Sequence, residues 1–144
     1  MAQKGLNKIH GQIGVLETIT SAKTLDIYDT GKIFSITQDG TGFAFTLPTA
    51  VTQADADVLP GWNATFILTT ASTANVTIVR QDTDNDSLTG IVATHTQDNL
   101  SGVTLSSHEI TFSNDSVVGD RVEIVCISAT TSATAFIATC YCDT

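Results

Sequence analysis

Apolar residues recur at alternate positions along most of this chain, in short runs separated by turn-forming pairs, and that period leaves room for little besides β-strands. The runs are Leu25 and Ile27; Ile33, Phe34 and Ile36; Phe43, Phe45 and Leu47; Phe66, Ile67 and Leu68; Val76 and Ile78; Val103 and Leu105; Ile110 and Phe112. Successive side chains of a strand point to opposite faces, so such a run turns one face to a core and the other to solvent. Two longer runs, RVEIVCISA (121–129) and TAFIATCYC (134–142), are rich in β-branched and aromatic residues and read as the strongest strands. Between the runs lie Asp29-Thr30-Gly31, Asp39-Gly40, Pro60-Gly61, Asn85-Asp86, Asn114-Asp115 and Gly119-Asp120, all turn formers. Turns spaced by roughly ten residues with no helix between them predict an all-β domain, an antiparallel β-sandwich of jelly-roll-like form over residues 21–144. Only residues 52–59 invite a helix, of one or two turns, which Pro60 ends.

A chain of 144 residues buries about 68–70% of its unfolded surface, enough for one core. Its charge is strongly acidic, six Lys and Arg against 15 Asp and Glu for a formal −9. That balance repels a phosphate backbone and argues against nucleic-acid binding. Four of the basic residues, Lys4, Lys8, Lys23 and Lys32, fall in the first 32 positions, so the body is more acidic still. No run reaches the roughly 18–20 apolar residues that span a bilayer, and MAQKGLNKIHGQIG lacks a signal peptide's apolar centre. The expectation is a protein made in a cytoplasm, without a membrane partner, its three Cys reduced.

Residues 1–20 differ from the rest. Gly5, Gly11 and Gly14 interrupt any period, while Leu6, Ile9, Ile13, Val15 and Leu16 are apolar. Two readings stay open: a frayed terminus with one extra strand, or an arm that orders on a neighbouring subunit or host surface through Lys4, Leu6, Lys8, Ile9 and His10.

The motifs that could carry chemistry are weak. Asp82-Thr83-Asp84-Asn85-Asp86 imitates the start of a calcium loop, but Ser87 stands where the sharp turn needs Gly and Ala93 where a bidentate Glu belongs. An acidic solvated loop is the preferred reading. Ser106-Ser107-His108-Glu109 holds the residue types of a hydrolytic triad, yet neighbours on a strand point to opposite faces. Cys126, Cys140 and Cys142 sit on adjacent strands with no fourth zinc ligand in view, and read as small buried side chains. His10 and His95 read as surface residues. Trp62 is either a recognition anchor or an aromatic closing one end of the core, the second being the commoner outcome. No catalytic residue, cofactor or metal site is expected.

The order of segments, rather than any single motif, resembles a group of small tailed-phage virion proteins. It runs through Thr24-Leu-Asp-Ile-Tyr-Asp-Thr-Gly31-Lys-Ile-Phe-Ser-Ile, Phe43-Ala-Phe-Thr-Leu-Pro48, Pro60-Gly61 followed by Ala64-Thr-Phe-Ile-Leu, Asn75-Val-Thr-Ile-Val, and Val118-Gly-Asp-Arg-Val-Glu-Ile-Val125. The resemblance covers about residues 24–142. It departs at the end, where many members carry Trp-Tyr and this chain has Phe136-Ile-Ala-Thr-Cys-Tyr141. It implies a non-enzymatic capsid decoration, or cement, protein: a homotrimeric β-sandwich that binds the major capsid protein on the outer head surface of the virion and stabilises the head. The alternative that it implies is a receptor- or carbohydrate-binding module of a tail fibre, with Trp62 and the loop at Asp82–Asp86 as its site.

Overall fold

The computed structural model describes residues 15–49, 59–81, 85–94, 102–130 and 132–142. Among them the chain forms β1 (Leu16–Ile19), β2 (Lys23–Thr24), a 3-10 turn (Ile27–Asp29), β3 (Lys32–Ile36), β4 (Phe43–Thr46), β5 (Asn63–Leu68), β6 (Val76–Val79), β7 (Ser87–Thr94), β8 (Val103–Leu105), β9 (Glu109–Phe112), β10 (Arg121–Thr130) and β11 (Ala133–Cys142). The protein is all-β. One sheet has the order β1-β3-β5-β10-β11-β7 and the other β2-β4-β6-β9-β8.

Burial follows the two-residue period read from the sequence. Buried and less buried positions alternate along β5, β6 and β11, so that Ala64, Phe66, Leu68, Val76, Ile78, Phe136, Ala138, Cys140 and Cys142 all face one shared core. Phe34 and Phe66 of the six-stranded sheet stand 5.2 Å apart between ring centroids, and Phe45 of the five-stranded sheet meets Phe66 edge-on at 5.0 Å. Each such aromatic pair adds about 0.5–1.5 kcal/mol beyond the area that it buries. The three rings hold the two sheets together at the level of β3, β4 and β5.

Strand direction differs from the antiparallel expectation. β1–β3, β3–β5, β2–β4, β4–β6 and β11–β7 are parallel; β5–β10, β10–β11, β6–β9 and β8–β9 are antiparallel. The reason lies in the route of the chain. From β1 to β6 each strand leaves its sheet for the other one, and the next strand returns beside its predecessor in the same direction. The chain therefore winds like a flattened helix before two hairpins, β8–β9 and β10–β11, complete the sheets. Alternation of side chains reports which face is buried and is blind to this choice of direction.

The turns are those that the sequence announced. In Val117–Asp120, Gly119 takes φ 103°, the Asp120 amide donates to the Val117 carbonyl at 3.1 Å, and the buried Asp120 carboxylate accepts from the Val117 amide at 3.1 Å. This closes the turn from both sides and fixes where β10 begins. At Leu59–Trp62 the Trp62 amide donates to the Leu59 carbonyl at 2.8 Å, with Pro60-Gly61 at the corner.

Two expectations fall elsewhere. The helical turn over 52–59 lies outside the described residues apart from buried Leu59, as does the segment holding Lys4, Leu6, Lys8, Ile9 and His10. Within residues 1–20, Leu16–Ile19 is the edge strand β1, paired to β3.

Gly90 gives the clearest test of the register at the opposite edge. A Cβ there would lie 1.9 Å from the Ala138 carbonyl oxygen of β11, its own register partner. Gly90→Ala should therefore push β7 off β11 and cost about 1–3 kcal/mol, the range for overpacking a fitted site. A urea-unfolding midpoint equal to that of the unaltered protein would show that the two strands do not pair in this register.

Candidate functional site

Residues singled out in the sequence are scattered, and most serve the fold. Trp62 is buried, its indole N–H donating to the Asp26 carbonyl at 3.0 Å and its ring meeting Phe136 edge-on at 6.1 Å. It closes the core, and no face of it is open for a sugar. Of the acidic loop, Asp82 and Asp84 lie outside the described residues, whereas Asp86 is buried and accepts from the Thr134 amide at 2.7 Å and the Thr49 hydroxyl at 3.4 Å. It ties the start of β7 to the start of β11.

Ser106, Ser107 and His108 form the β8–β9 turn rather than part of a strand. The Ser106 hydroxyl accepts from the amides of His108 (3.2 Å) and Glu109 (3.0 Å), and the Ser106 amide donates to the Glu109 carbonyl at 2.8 Å. Ser107 Oγ contacts His108 Nδ1 at 2.8 Å, but Glu109 faces Thr111, whose hydroxyl lies 3.4 Å from its carboxylate. The serine best placed within the turn is thus occupied with backbone amides, and the carboxylate points along its own strand.

Cys126, Cys140 and Cys142 lie buried on the core face of β10 and β11, none of them in a disulfide. Cys126 faces Phe136 and Cys140 faces Val122, so the two cysteines are four residues apart in register, roughly 13 Å at strand rise. Burial pushes the Cys140 thiol up to about 12 and raises Cys126 as well. His95 lies outside the described residues.

The charged cluster that the structure does assemble was missed in the sequence. Glu17 of β1, Lys23 of β2, Asp29 of the 3-10 turn and Lys32 of β3 alternate in sign around one ring. Lys23 pairs with Glu17 and lies 3.3 Å from Asp29; Lys32 lies 2.9 Å from Glu17 and 2.6 Å from Asp29. Glu17 stands beside Phe34 in register and Lys32 is two residues before Phe34, so all three share the inward face. Lys23 also sits 5.1 Å from the Phe34 ring centroid, a cation–π contact. The Lys23–Glu17 pair crosses from one sheet to the other and closes the core at its β1–β2 edge. The signal was legible in principle: Glu17 is in phase with Ile19, and Lys32 with Phe34 and Ile36.

Hydrogen bonds from Lys23 and Lys32 hold the Glu17 carboxyl below its ordinary value. For Asp29 burial pushes the pKa up, but the Lys32 hydrogen bond, the Asp26 amide and the nearby lysine charges outweigh it and leave the group lowered. The Asp29 and Glu17 hydrogen bonds raise Lys32 correspondingly.

A different surface lies on the outside of the six-stranded sheet. Register places Leu16, Ile33, Thr65, Glu123, Thr139 and Ile91 in one row across all six strands. The next row carries Val125 opposite Ile137, and Ile127 follows on β10. Leu16, Ile91, Val125, Ile127 and Ile137 are all exposed. The charged residues on this face, Arg121 and Glu123, approach each other at 3.6 Å, and Arg121 lies 4.3 Å from the Tyr141 ring centroid.

No family model, curated protein or solved structure matches the chain.

Two outcomes follow from this chemistry. Carboxylates with lowered folded-state pKa contribute stability above their ordinary values, 4.5 for Glu17 and 3.8 for Asp29, and lose it as pH falls through the lower folded values. The unfolding midpoint should therefore drop below about pH 4, and Lys32→Met should both cost about 1–2 kcal/mol at pH 7 and flatten that acid slope. An unchanged slope in Lys32→Met would remove the cluster from the acid response. For the buried thiols, a disulfide reagent at pH 8 should modify them only as fast as the protein unfolds; rapid modification of Cys140 in the folded protein would contradict its burial.

Proposed function

We propose that this chain is a structural protein of a tailed-phage virion, a capsid decoration protein that binds the outer head lattice as a homotrimer and stabilises it. The observation that carries the reading, through its homotrimeric part, is the cluster of exposed aliphatic side chains Ile91, Val125, Ile127 and Ile137 on the outer face of the six-stranded sheet, in a chain of net charge −9. Monomeric soluble proteins rarely expose contiguous apolar patches beyond a few hundred Å², and larger ones mark contact surfaces. Support also comes from the segments that carry the resemblance, which fall on β2 to β6 and on the Val117–Asp120 turn with β10. They form the framework, as expected of a module that works by shape and contact rather than by a reactive group.

For the architecture, we infer a β-sandwich with the two sheets face to face, which the shared core and the Phe34–Phe45–Phe66 contacts support. The parallel neighbours favour a helically wound sandwich over a jelly roll. The N-terminal segment, with Lys4, Leu6, Lys8, Ile9 and His10, is assigned to contacts with the capsid protein or with a neighbouring copy, because it joins apolar side chains to cations in an otherwise acidic chain. The tail-fibre alternative loses its sugar platform with Trp62 in the core.

The test is co-sedimentation with heads of the encoding phage prepared without this protein. Saturable binding, and heads that withstand a higher temperature once decorated, are the expected results; a protein left wholly in the supernatant would overturn the proposal. Deletion of residues 1–14 should lower head occupancy at least tenfold at a fixed subsaturating concentration while leaving the melting temperature within about 2 °C, since it stops short of β1. Unaltered occupancy would free the segment from the contact.

A further inference from the structure

Within the reading above that copies of this chain assemble, we propose that they meet through the outer face of the six-stranded sheet, centred on Val125, Ile127 and Ile137 and extending to Ile91. The occupant of this face is a second copy of the same chain.

Leu16, Tyr28 and Val118 are exposed elsewhere, whereas four exposed aliphatic side chains lie together on the strands β10, β11 and β7. Ile91 is 63% exposed, Ile127 54% and Ile137 43%, and they lie on three adjacent strands. Val125 and Ile137 are direct register partners on β10 and β11, so their side chains form one continuous ridge. The shift in register between Cys126 and Ser128 lies beside Ile127, where a bulge re-aims side chains at the end of the ridge.

Area is the first argument for a second copy. Six strands at about 4.8 Å and a length of roughly 20–30 Å give a face of roughly 600–900 Å², which spans the ~800 Å² per partner of a standard interface. Charge is the second. Two copies at −9 repel each other at most orientations, and the approach least opposed is the one that brings neutral faces together. The charges present, Arg121 and Glu123, are one of each sign two residues apart on the outer face of the interior strand β10, both about half exposed. A second copy brings the same pair, so each cation finds an anion across the contact without help from another protein. A strongly cationic partner would find its match on the acidic remainder of the chain instead.

The face also differs from the guarded edge of its own sheet. β1 carries Glu17 turned inward beside Lys32, a device that discourages pairing, whereas β7, SLTGIVAT, carries no charge and no proline. Ile91 thus extends the contact surface to the unguarded side.

The experiment is light scattering of the full chain across a hundredfold range of concentration, beside Val125→Asp/Ile137→Asp. The unaltered protein should run at a multiple of 15.1 kDa and the double variant at 15.1 kDa, with superimposable far-ultraviolet circular dichroism. An unaltered protein that is monomeric throughout would overturn self-association itself, and with it the trimer; an oligomer that survives the double substitution would overturn only this face. If the double variant fails to fold, Ile137→Cys replaces it: oxidation should give a covalent dimer on a non-reducing gel, and Tyr28→Cys, on the exposed 3-10 turn, should give none. Equal cross-linking from both positions would overturn the assignment. A monomer whose binding to heads is lost in the double variant would likewise overturn it, giving the face to the capsid protein.

Discussion

The chain changes sheet after nearly every strand of its first half, and the rest of the structure depends on that constraint. A strand that crosses to the opposite sheet and comes back must lie parallel to the one it left, which produces the parallel ladders β1-β3-β5 and β2-β4-β6. Each crossing also places consecutive strands on opposite sides of one core, so the parallel ladders of both sheets are built from interleaved segments of the chain. Phe34, Phe45 and Phe66, drawn from β3, β4 and β5, are the contacts through which this interdependence is expressed in packing. Non-local pairing of this kind makes folding slow relative to hairpin-first proteins of the same size.

Winding solves the core and leaves edges. On the β1–β2 side the gap between sheets is closed by charges, Lys23 reaching Glu17 across the sheets while Lys32 and the buried Asp29 complete the ring. A charge network at a sheet edge costs desolvation, which explains why it sits at the rim, partly open to water, rather than beneath the Phe cluster. An inward-pointing charge of this kind on an edge strand also discourages another chain from adding to β1. On the opposite side, β7 and β8 approach each other and the closure is apolar and backbone-mediated, with Gly90 pressed against Ala138 and Asp86 anchoring the start of β11.

How far the sequence foretold this differs from element to element. The burial of Phe66, Ile78, Phe112 and Phe136 follows directly from two-residue alternation, because a half-buried strand leaves no other periodic trace. The turns at Pro60-Gly61 and Gly119-Asp120 were legible for an equally local reason, the left-handed φ that glycine adopts freely. Strand direction was not, since it is set by which sheet the chain enters next, a decision made over tens of residues. Buried polar anchors were missed for a related reason: Gln38 accepts from the amides of Thr73 and Ala74 at 2.6 and 3.1 Å, partners some 35 positions away in the chain. The triad types at Ser106–Glu109 were discounted as neighbours on a strand, whereas Ser106 is a turn hydroxyl that accepts from the His108 and Glu109 amides, because composition names a residue's chemistry but not its neighbours.

These features bear on function through one asymmetry. Charge closes the β1–β2 rim, while the outer face of the six-stranded sheet carries only the Arg121–Glu123 pair beside the exposed Ile91, Val125, Ile127 and Ile137. A free monomer with that face in water gives up hydrophobic stabilisation of about 25 cal/mol for each Å² of apolar surface left uncovered. Under the proposed self-association a second copy recovers it wherever two such faces meet, and the acidic remainder of the chain then disfavours other orientations. The exposed β-branched side chains Ile91, Val125, Ile127 and Ile137 on β7, β10 and β11 are therefore the part of this surface with most to gain from the proposed contact between copies.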